Sequence, residues 1–149
     1  MGGKTEAKSR IRAGVRAKLY LAVGLGSGLG AALRYLCSSA LLSVAGAGFP
    51  WGTLIVNILG SFLIGFYATL TEPGGRLFPD PAMRQFVLAG FCGGFTTFSI
   101  FSLETVLLIE SGRVFSAASY VALSLLLWLM AVWIGHALAQ RANRLTGHD

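Results

Sequence analysis

The sequence predicts an all-α membrane protein in which one domain of four transmembrane helices takes up most of the chain. Hydrophobic residues make up 54% of the 149 positions and charged residues only 12%, against about 25% in an ordinary soluble domain. Apart from Arg34 and Glu104, every charged side chain lies near an end of an apolar stretch or outside one. We therefore divide the chain into a basic segment at 1–17, a membrane domain at 18–140 and a short tail at 141–149.

The first transmembrane helix is predicted over residues 18–44. Glycines at every second position from Gly24 to Gly30 form two overlapping GxxxG pairs, a pattern that lets membrane helices approach closely. A cleaved signal peptide is the competing interpretation, because Ala-Gly-Ala at 45–47 resembles a cleavage site. We favour a helix, since the apolar stretch is too long for a signal peptide and Arg34 interrupts it.

The second helix is predicted to begin after Phe49-Pro50-Trp51 and to run to Thr71. Proline suits the start of a helix, and Trp51 suits the membrane interface. One face of this helix carries small and polar residues at spacings of three and four: Asn57, Gly60, Ser61 and Gly65. Residues at these spacings share a helix face, and we expect this face to pack against protein rather than lipid.

The third helix is predicted to begin at Asp80-Pro81, a capping residue followed by a first-turn proline, and to end near Glu110. The segment GGFTT at 93–97 lies about a dozen residues into it, roughly 18 Å along the helix and so near mid-bilayer. Paired glycines weaken a helix, and threonine hydroxyls compete for backbone partners. Two interpretations stay open: a break at mid-membrane that frees carbonyl groups, or an unbroken helix with a glycine contact face.

The fourth helix is predicted over residues 116–139 and is closed by Arg141 and Arg144. With four helices in place, ten of the twelve Lys and Arg residues fall on one side of the membrane, and Arg113 and Arg34 are the exceptions. The positive-inside rule then places the N-terminus in the cytoplasm. Despite the net charge of +6, nucleic acid is not expected as a partner, because basic residues beside a span are typical of a topology signal or a contact with anionic lipid.

We expect no enzymatic activity. His136 and His148 lie far along the chain from any nucleophile with an orienting carboxylate, and no metal-ligand spacing is present. Cys37 and Cys92 lie inside apolar segments and are typical of small core residues rather than of a disulfide.

Phe98 and Phe101 share a face of the third helix, above which stand Phe91 and Phe95. An aromatic stripe on a membrane helix usually packs against protein or contacts lipid. Aromatic rings also have a positive edge. Rings turned edge-on can therefore line an anion path without a fixed charge that would trap the ion.

Three segments of the chain resemble the Fluc/CrcB family of fluoride channels, over about residues 24–136. They are GLGAALRY at 28–35, GTLIVNILGSF at 52–62 and GFCGGFTTFSIFS at 90–102. Together, in this order on four predicted spans, they are far more specific than any one alone. The resemblance implies a fluoride-specific channel that passively exports fluoride across the bacterial inner (plasma) membrane and so relieves fluoride toxicity.

The resemblance also implies an antiparallel, dual-topology homodimer with two fluoride pathways and a structural sodium ion at its centre. Backbone carbonyls of Gly93 and Thr96 from both subunits would hold the sodium. This agrees with a break in the third helix, since a hard cation takes oxygen ligands. The implied partners are fluoride, a second copy of the chain and the lipid bilayer.

The fluoride path implied by the resemblance combines ring edges with hydrogen-bond donors. Its expected residues are Asn57, Phe98, Phe101, Tyr120 and Ser124. Asn57 would donate from its side-chain amide, and the fourth helix would supply the two hydroxyls. Small, strongly hydrated fluoride must exchange water for such donors in order to cross. We expect Asn57 and the two phenylalanines to matter more for conduction than for folding.

Two positions depart from the family pattern, and two charged residues need a role. Ile100 stands where Thr or Ser is common, and Trp128 stands one turn past Ser124 where a small polar residue is common; both interrupt the polar track. Arg34 is a vestibule candidate that concentrates anions or extends to the interface. Glu104 is a second candidate, which we expect to face a vestibule or a partner rather than to carry protons.

Two functions of other kinds stay open as alternatives. A proton-coupled exporter of the small multidrug-resistance kind has a similar size, but it needs an acidic residue deep in its first helix, and residues 18–44 contain none. A non-transporting membrane assembly subunit would leave the clustered motifs unexplained.

Overall fold

The computed structural model describes the backbone of residues 2–144 and the side chains of residues 13–144. These residues form six α-helices and one π-helical segment. The elements are α1 Gly2–Ala45, α2 Trp51–Leu70, α3 Pro81–Gln85, the π-helical segment Phe86–Cys92, α4 Gly93–Phe95, α5 Ser99–Glu110 and α6 Val114–Arg144.

Four stretches are long and apolar enough to cross a membrane, judged by length and composition. They are Ala13–Ala45, Trp51–Leu70, Pro81–Glu110 and Val114–Arg144. The prediction of an all-helical chain with four spans is thus confirmed. The third span contains α3, the π-helical segment, α4 and α5, whereas each of the other spans is a single helix.

Helix α1 is much longer than its predicted span, because it begins at Gly2 and runs without interruption past residue 18. Its 44 residues correspond to about 66 Å at about 1.5 Å per residue, roughly twice the hydrocarbon thickness of a bilayer. Residues 2–17 are thus helical and continuous with the first transmembrane helix.

The third span begins as the sequence predicts. The Asp80 Oδ1 atom accepts a hydrogen bond of 2.7 Å from the Met83 amide, and Pro81 occupies the first helical position. The cap satisfies an amide that has no partner within the helix. Lys18 of α1 also bonds Asp80, with 2.6 Å between Nζ and Oδ2, so the starts of the first and third spans lie together.

A seam of glycines joins α1 to the third span. A Cβ atom at Gly30 would overlap the Phe91 carbonyl oxygen, and one at Gly94 would overlap the Ser27 carbonyl oxygen; Gly26 and Gly90 are similarly enclosed. Only one of the two GxxxG pairs is used here, since a Cβ atom at Gly24 or Gly28 would meet open space. The seam brings the two backbones into direct contact, as close glycine packing in membranes allows.

The second and fourth spans also approach through glycines. Side chains at Gly65 of α2 and Gly135 of α6 would overlap the Val132 and Phe62 carbonyl oxygens of the opposite helix. A side chain at Gly60 would overlap the Thr96 methyl group. The small polar face of α2 thus packs against protein, as predicted.

The buried core lies where α2, α5 and α6 meet. It is formed by Leu54, Phe101, Leu108, Ala117 and Tyr120. Large apolar side chains such as Leu21, Leu129 and Trp133 point outward, with more than 60% of their surface exposed. A chain that is apolar on its outside suits lipid as the solvent.

Candidate functional site

Helical geometry is interrupted within the third span, in the segment 93–97 singled out by its sequence. Helix α4 ends at Phe95, α5 begins at Ser99, and Thr96 is extended with φ −83° and ψ 158°. The amide and the hydroxyl of Thr96 both donate to the Cys92 carbonyl, each at 2.9 Å. The hydroxyl therefore competes for a backbone acceptor at the point where the helix stops.

Asn57 of α2 holds the interrupted segment from the side. Its Nδ2 donates to the Thr97 carbonyl at 2.8 Å, and its Oδ1 accepts from the Thr97 amide at 2.7 Å. Asn57 is only 4% exposed, so both bonds are protected from water. The Thr97 amide is thereby directed to a side chain instead of to the Gly93 carbonyl four residues earlier.

Arg34 of α1 contacts the same segment from the opposite direction. Its Nε donates to the Gly94 carbonyl at 3.2 Å. This bond gives a partner to one of the carbonyls at the C-terminal end of α4, where intrahelical donors run out. Arg34 therefore lies beside the interruption and not beside Glu104, the other charged residue predicted to line a vestibule.

A pocket of about 340 Å³ opens beside the interruption. It is lined by Asn57, Ser61, Ile64, Gly93, Thr96, Thr97, Phe98 and Trp128. Four residues predicted for the site thus come together: the amide side chain of Asn57, the ring of Phe98 and the two residues expected to bind sodium. Gly93 is exposed, and a Cβ atom there would meet open space.

The predicted phenylalanines lie in different surroundings. Phe98 is 68% exposed and lines the pocket, whereas Phe101 is 6% exposed and belongs to the core. The centre of the Phe101 ring is 5.5 Å from that of Phe98, 5.1 Å from Tyr120 and 5.0 Å from Trp128. Phe101 thus contacts both the pocket-lining Phe98 and Trp128 and the buried Tyr120 of α6.

Glu104 is held by two hydroxyl groups. Thr53 donates to its Oε1 at 2.9 Å and Tyr120 donates to its Oε2 at 2.7 Å. Glu104 also lines two pockets, of about 280 and 320 Å³, near the C-terminal end of α1. The carboxyl group therefore sits between a buried hydroxyl network and open space, away from the 340 Å³ pocket.

Two side chains of α6 contain buried polar atoms that have no hydrogen-bond partner among the described residues. They are the Oγ of Ser124 and the Nε1 of Trp128. Ser124 is 0% exposed, and the two residues are one helical turn apart. Buried polar groups in folded proteins are nearly always paired, so these two atoms are candidates for contact with a ligand or water.

The sequence does not indicate Thr53 as part of the site, and it indicates Thr97 only as a member of the segment 93–97. Thr53 could have been found, because it lies one turn before Asn57 on the same face of α2. The pairing of Asn57 with Thr97 joins residues 40 positions apart, so no local sequence pattern predicts it. A further hydrogen bond that the sequence did not suggest, 2.7 Å between Thr69 Oγ1 and His136 Nδ1, links α2 to α6 nearer the other end.

Comparison with known proteins relates the chain to membrane channels. The family model described as "CrcB-like protein, Camphor Resistance (CrcB)" matches residues 21–136. The chain is 52% identical over 132 residues to "Fluoride-specific ion channel FluC 1" of Rhodopseudomonas palustris, covering 89% of this chain and 94% of that protein. It is 54% identical over 129 residues to "Fluoride-specific ion channel FluC 1" of Bradyrhizobium diazoefficiens, covering 87% and 89%. It is 48% identical over 124 residues to "Fluoride-specific ion channel FluC" of Rhodospirillum rubrum, covering 83% and 96%.

Proposed function

The chain belongs to the CrcB family, and from this membership we propose that it is a channel through which fluoride leaves the cell passively. It is a multi-pass protein of the bacterial inner membrane and not an enzyme. The observation that carries the proposal is the match, over most of the chain, to relatives named as fluoride-specific ion channels. The exporter and assembly-subunit alternatives are not favoured, because relatives so similar over nearly their whole length are named as channels.

The pocket beside the interruption supports this function through its chemistry. Asn57 uses one amide hydrogen on Thr97, and an amide nitrogen carries two, so one hydrogen is left for a ligand. Phe98 and the neighbouring Phe101 offer ring edges of positive potential. Such weak, neutral donors can replace the water of a fluoride ion without holding the ion too tightly to leave.

We further propose that the interruption is a break at the middle of the membrane and that it holds a sodium ion. Two features support this: the Thr97 amide bonds Asn57 instead of the Gly93 carbonyl, and Gly93 faces open space. No group of three or more His, Cys, Asp or Glu among the described side chains could hold a metal. The resemblance to the family implies the backbone carbonyl oxygens of Gly93 and Thr96 as the ligands, and oxygen ligands suit a hard ion. A bound sodium would neutralise carbonyl dipoles that lipid cannot solvate.

The proposed assembly is an antiparallel dimer of two identical chains. A twofold axis in the membrane plane would bring the exposed Gly93 of one subunit towards that of the other, so that each contributes the same carbonyls. The strong bias of Lys and Arg opposes insertion in both directions. We infer that the distal residues of the N-terminal segment count little; the alternatives are a separately encoded partner of opposite orientation, or an arrangement that is not antiparallel. The basic segments lie at the same end of the helix bundle. The Lys18–Asp80 pair joins the start of the first span to that of the third, and the Arg76 amide bonds Asn143 near the end of the fourth.

Efflux from liposomes tests the channel function. Purified protein should release trapped fluoride down its gradient, without a proton gradient, and should not release chloride. Release that needs a proton gradient would favour an exporter, and absence of release would contradict a channel.

Labelling tests the assembly. Lys4→Cys and Gly147→Cys, each expressed alone in cells, should react with an impermeant reagent from both sides of the membrane, with the parent as control for Cys37 and Cys92. Purely cytoplasmic labelling of a functional protein would contradict dual insertion.

A further inference from the structure

One end of the helix bundle, where the first and third spans start and the second and fourth spans end, is strongly basic. The described side chains of this end include six basic ones: Arg16, Lys18, Arg76, Arg84, Arg141 and Arg144. Two are acidic, Glu72 and Asp80, and Asp80 is already paired with Lys18. The fluoride path proposed above uses none of these residues, so the excess of positive charge has no role in it.

Arg84, at the end of α3, is held in place by a neighbouring side chain. Its Nε donates to the Thr71 Oγ1 atom at 3.1 Å, and that hydroxyl donates in turn to the Tyr67 carbonyl at 2.8 Å. Thr71 is buried, so the guanidinium is attached to the C-terminal end of α2 through a fixed group. Its two terminal nitrogens have no hydrogen-bond or ion-pair partner among the described residues. They therefore keep N–H donors in the fork geometry that matches phosphate oxygens.

The loop between the second and third spans is fixed to the end of α6. The Oδ1 atom of Asn143 accepts from the Arg76 amide at 2.9 Å, and its Nδ2 atom donates to the Thr69 carbonyl at 3.0 Å. The side chain of Arg76 stays exposed, as does that of Arg144, which follows Asn143 directly. The loop thus presents a second guanidinium group at the same end of the bundle as Arg84.

The same loop exposes apolar side chains next to its arginine. Leu77 and Phe78 follow Arg76 in the sequence, and Phe78 is 82% exposed. Arg84 lies in the first turn of the third span, Pro81–Glu110, and the start of a span lies at the level of the lipid headgroups. A nucleic acid or an acidic protein would meet the arginines but would leave the Phe78 ring in water. A phospholipid satisfies both, because its phosphate accepts from arginine and its acyl chains contact the ring.

We propose that Arg84 and Arg76 bind the headgroup phosphate of an anionic phospholipid, with Phe78 against its acyl chains. The terminal nitrogens of Arg84 donate to the phosphate oxygens, and the excess of basic residues at this end favours an anionic headgroup over a zwitterionic one. The bound lipid fixes this end of the chain in the headgroup layer. The inference does not depend on which ion the protein conducts.

Native mass spectrometry of the full chain in detergent tests this binding. Phosphatidylglycerol and phosphatidylcholine with the same acyl chains are added separately, and the fraction of protein that retains a lipid is measured. The parent should retain phosphatidylglycerol at about tenfold lower concentration than phosphatidylcholine, and a higher concentration of ammonium acetate should weaken the retention. Equal retention of the two lipids overturns the inference. Displacement of phosphatidylglycerol by inorganic phosphate at the same concentration would make a free anion the ligand and would also overturn it.

Variants locate the site on the chain. Arg84→Gln removes the fixed guanidinium and should raise the phosphatidylglycerol concentration needed about tenfold. Arg113→Gln is the matched control, since Arg113 lies at the opposite end of the bundle and bonds the Gly48 carbonyl, and it should match the parent. Arg84→Lys keeps the charge without the fork, and Arg76→Gln changes an exposed side chain that does not affect folding; both should weaken retention less than Arg84→Gln. If Arg84→Gln does not fold, these two variants decide. Parent-like retention in both, or an equal loss in Arg113→Gln, overturns the inference.

Discussion

The two halves of the third span pack in opposite ways. Before the interruption, the π-helical segment Phe86–Cys92 and α4 lie backbone to backbone against α1, because glycines on both sides remove the side chains between them. After the interruption, α5 contacts its neighbours through large side chains, with Phe101 against Tyr120 and Trp128.

This difference separates a half held by backbone contacts from a half packed through side chains. Backbone contact at the glycine seam leaves no room for an ion. Side-chain contact around α5 leaves a buried hydroxyl network at Glu104 and unpaired polar atoms on α6. Asn57 bonds Thr97 where the two halves meet, so it fixes the position of the second half relative to the first.

The largest effect is expected from a methyl group in the glycine seam. Gly30→Ala would drive a Cβ atom into the Phe91 carbonyl, and because backbone cannot move aside, we expect a loss of about 3 kcal/mol or more. Gly28→Ala is the matched control, since the added Cβ atom meets open space and alanine favours a helix by about 0.5–1 kcal/mol over glycine. Thermal unfolding in detergent measures both. Equal melting of Gly30→Ala and the parent would mean that the two backbones are not in contact.

A smaller loss of stability, together with a loss of conduction, is expected from Asn57→Ala. It leaves the amide and carbonyl of Thr97 without their partner, and an unpaired buried group costs about 1–3 kcal/mol. Fluoride efflux should fall at least about tenfold. Ser61→Ala, in the same pocket, should stay close to the parent in both measurements. Parent-like efflux from Asn57→Ala would remove Asn57 from the path.

Much of this arrangement could be predicted from local sequence patterns. Hydropathy defines the four spans, and Asp80 with Pro81 marks the start of the third, because caps depend on neighbouring residues alone. The small polar face of α2 follows from spacing in the same way. Segment 93–97 was recognised as unusual for the same reason, although the sequence left a break and a contact face equally open.

The remaining features depend on how the helices are rotated and paired. Both GxxxG pairs of α1 have the same spacing, and only the rotation of α1 decides that Gly26 and Gly30 form the seam while Gly24 and Gly28 face outward. The network of Thr53, Glu104 and Tyr120 joins three spans. The sequence predicts that Glu104 faces a vestibule or a partner, but no local pattern identifies the two hydroxyl groups that bond it.

The phenylalanines on the second half should separate conduction from stability. Phe101→Ile alters the shape of a buried side chain and should cost about 1–2 kcal/mol. Phe98→Ile changes a side chain that is 68% exposed and should leave stability within about 0.5 kcal/mol of the parent. Both should slow fluoride efflux, because both remove a ring edge. The burial of Phe101 thus predicts a folding effect there that the exposed Phe98 lacks. Equal stability of the two variants would contradict the burial of Phe101.

The smallest effect is expected at the start of the first half, where Lys18 bonds Asp80. The Lys18 hydrogen bond, followed by that from the Met83 amide, lowers the pKa of Asp80 below its ordinary value. Because its pKa is lowered in the folded protein, the carboxylate stabilises the fold at pH values above its ordinary pKa of about 3.9. That stabilisation is lost as the pH falls through the lowered value. Both side chains are more than half exposed, and exposed pairs contribute little and are screened by salt.

Asp80→Asn separates the ion pair from the helix cap, because asparagine also caps a helix well. The variant should melt close to the parent at pH 7. The small difference in melting temperature should disappear in high salt, or at a pH below the lowered pKa of Asp80. Melting curves from pH 3 to pH 7 at two salt concentrations provide the measurement. A large decrease in melting temperature that salt does not reduce would show that the pair anchors α1 to the third span. The surface pair would then stabilise the fold as the glycine seam does, which contradicts the difference argued here.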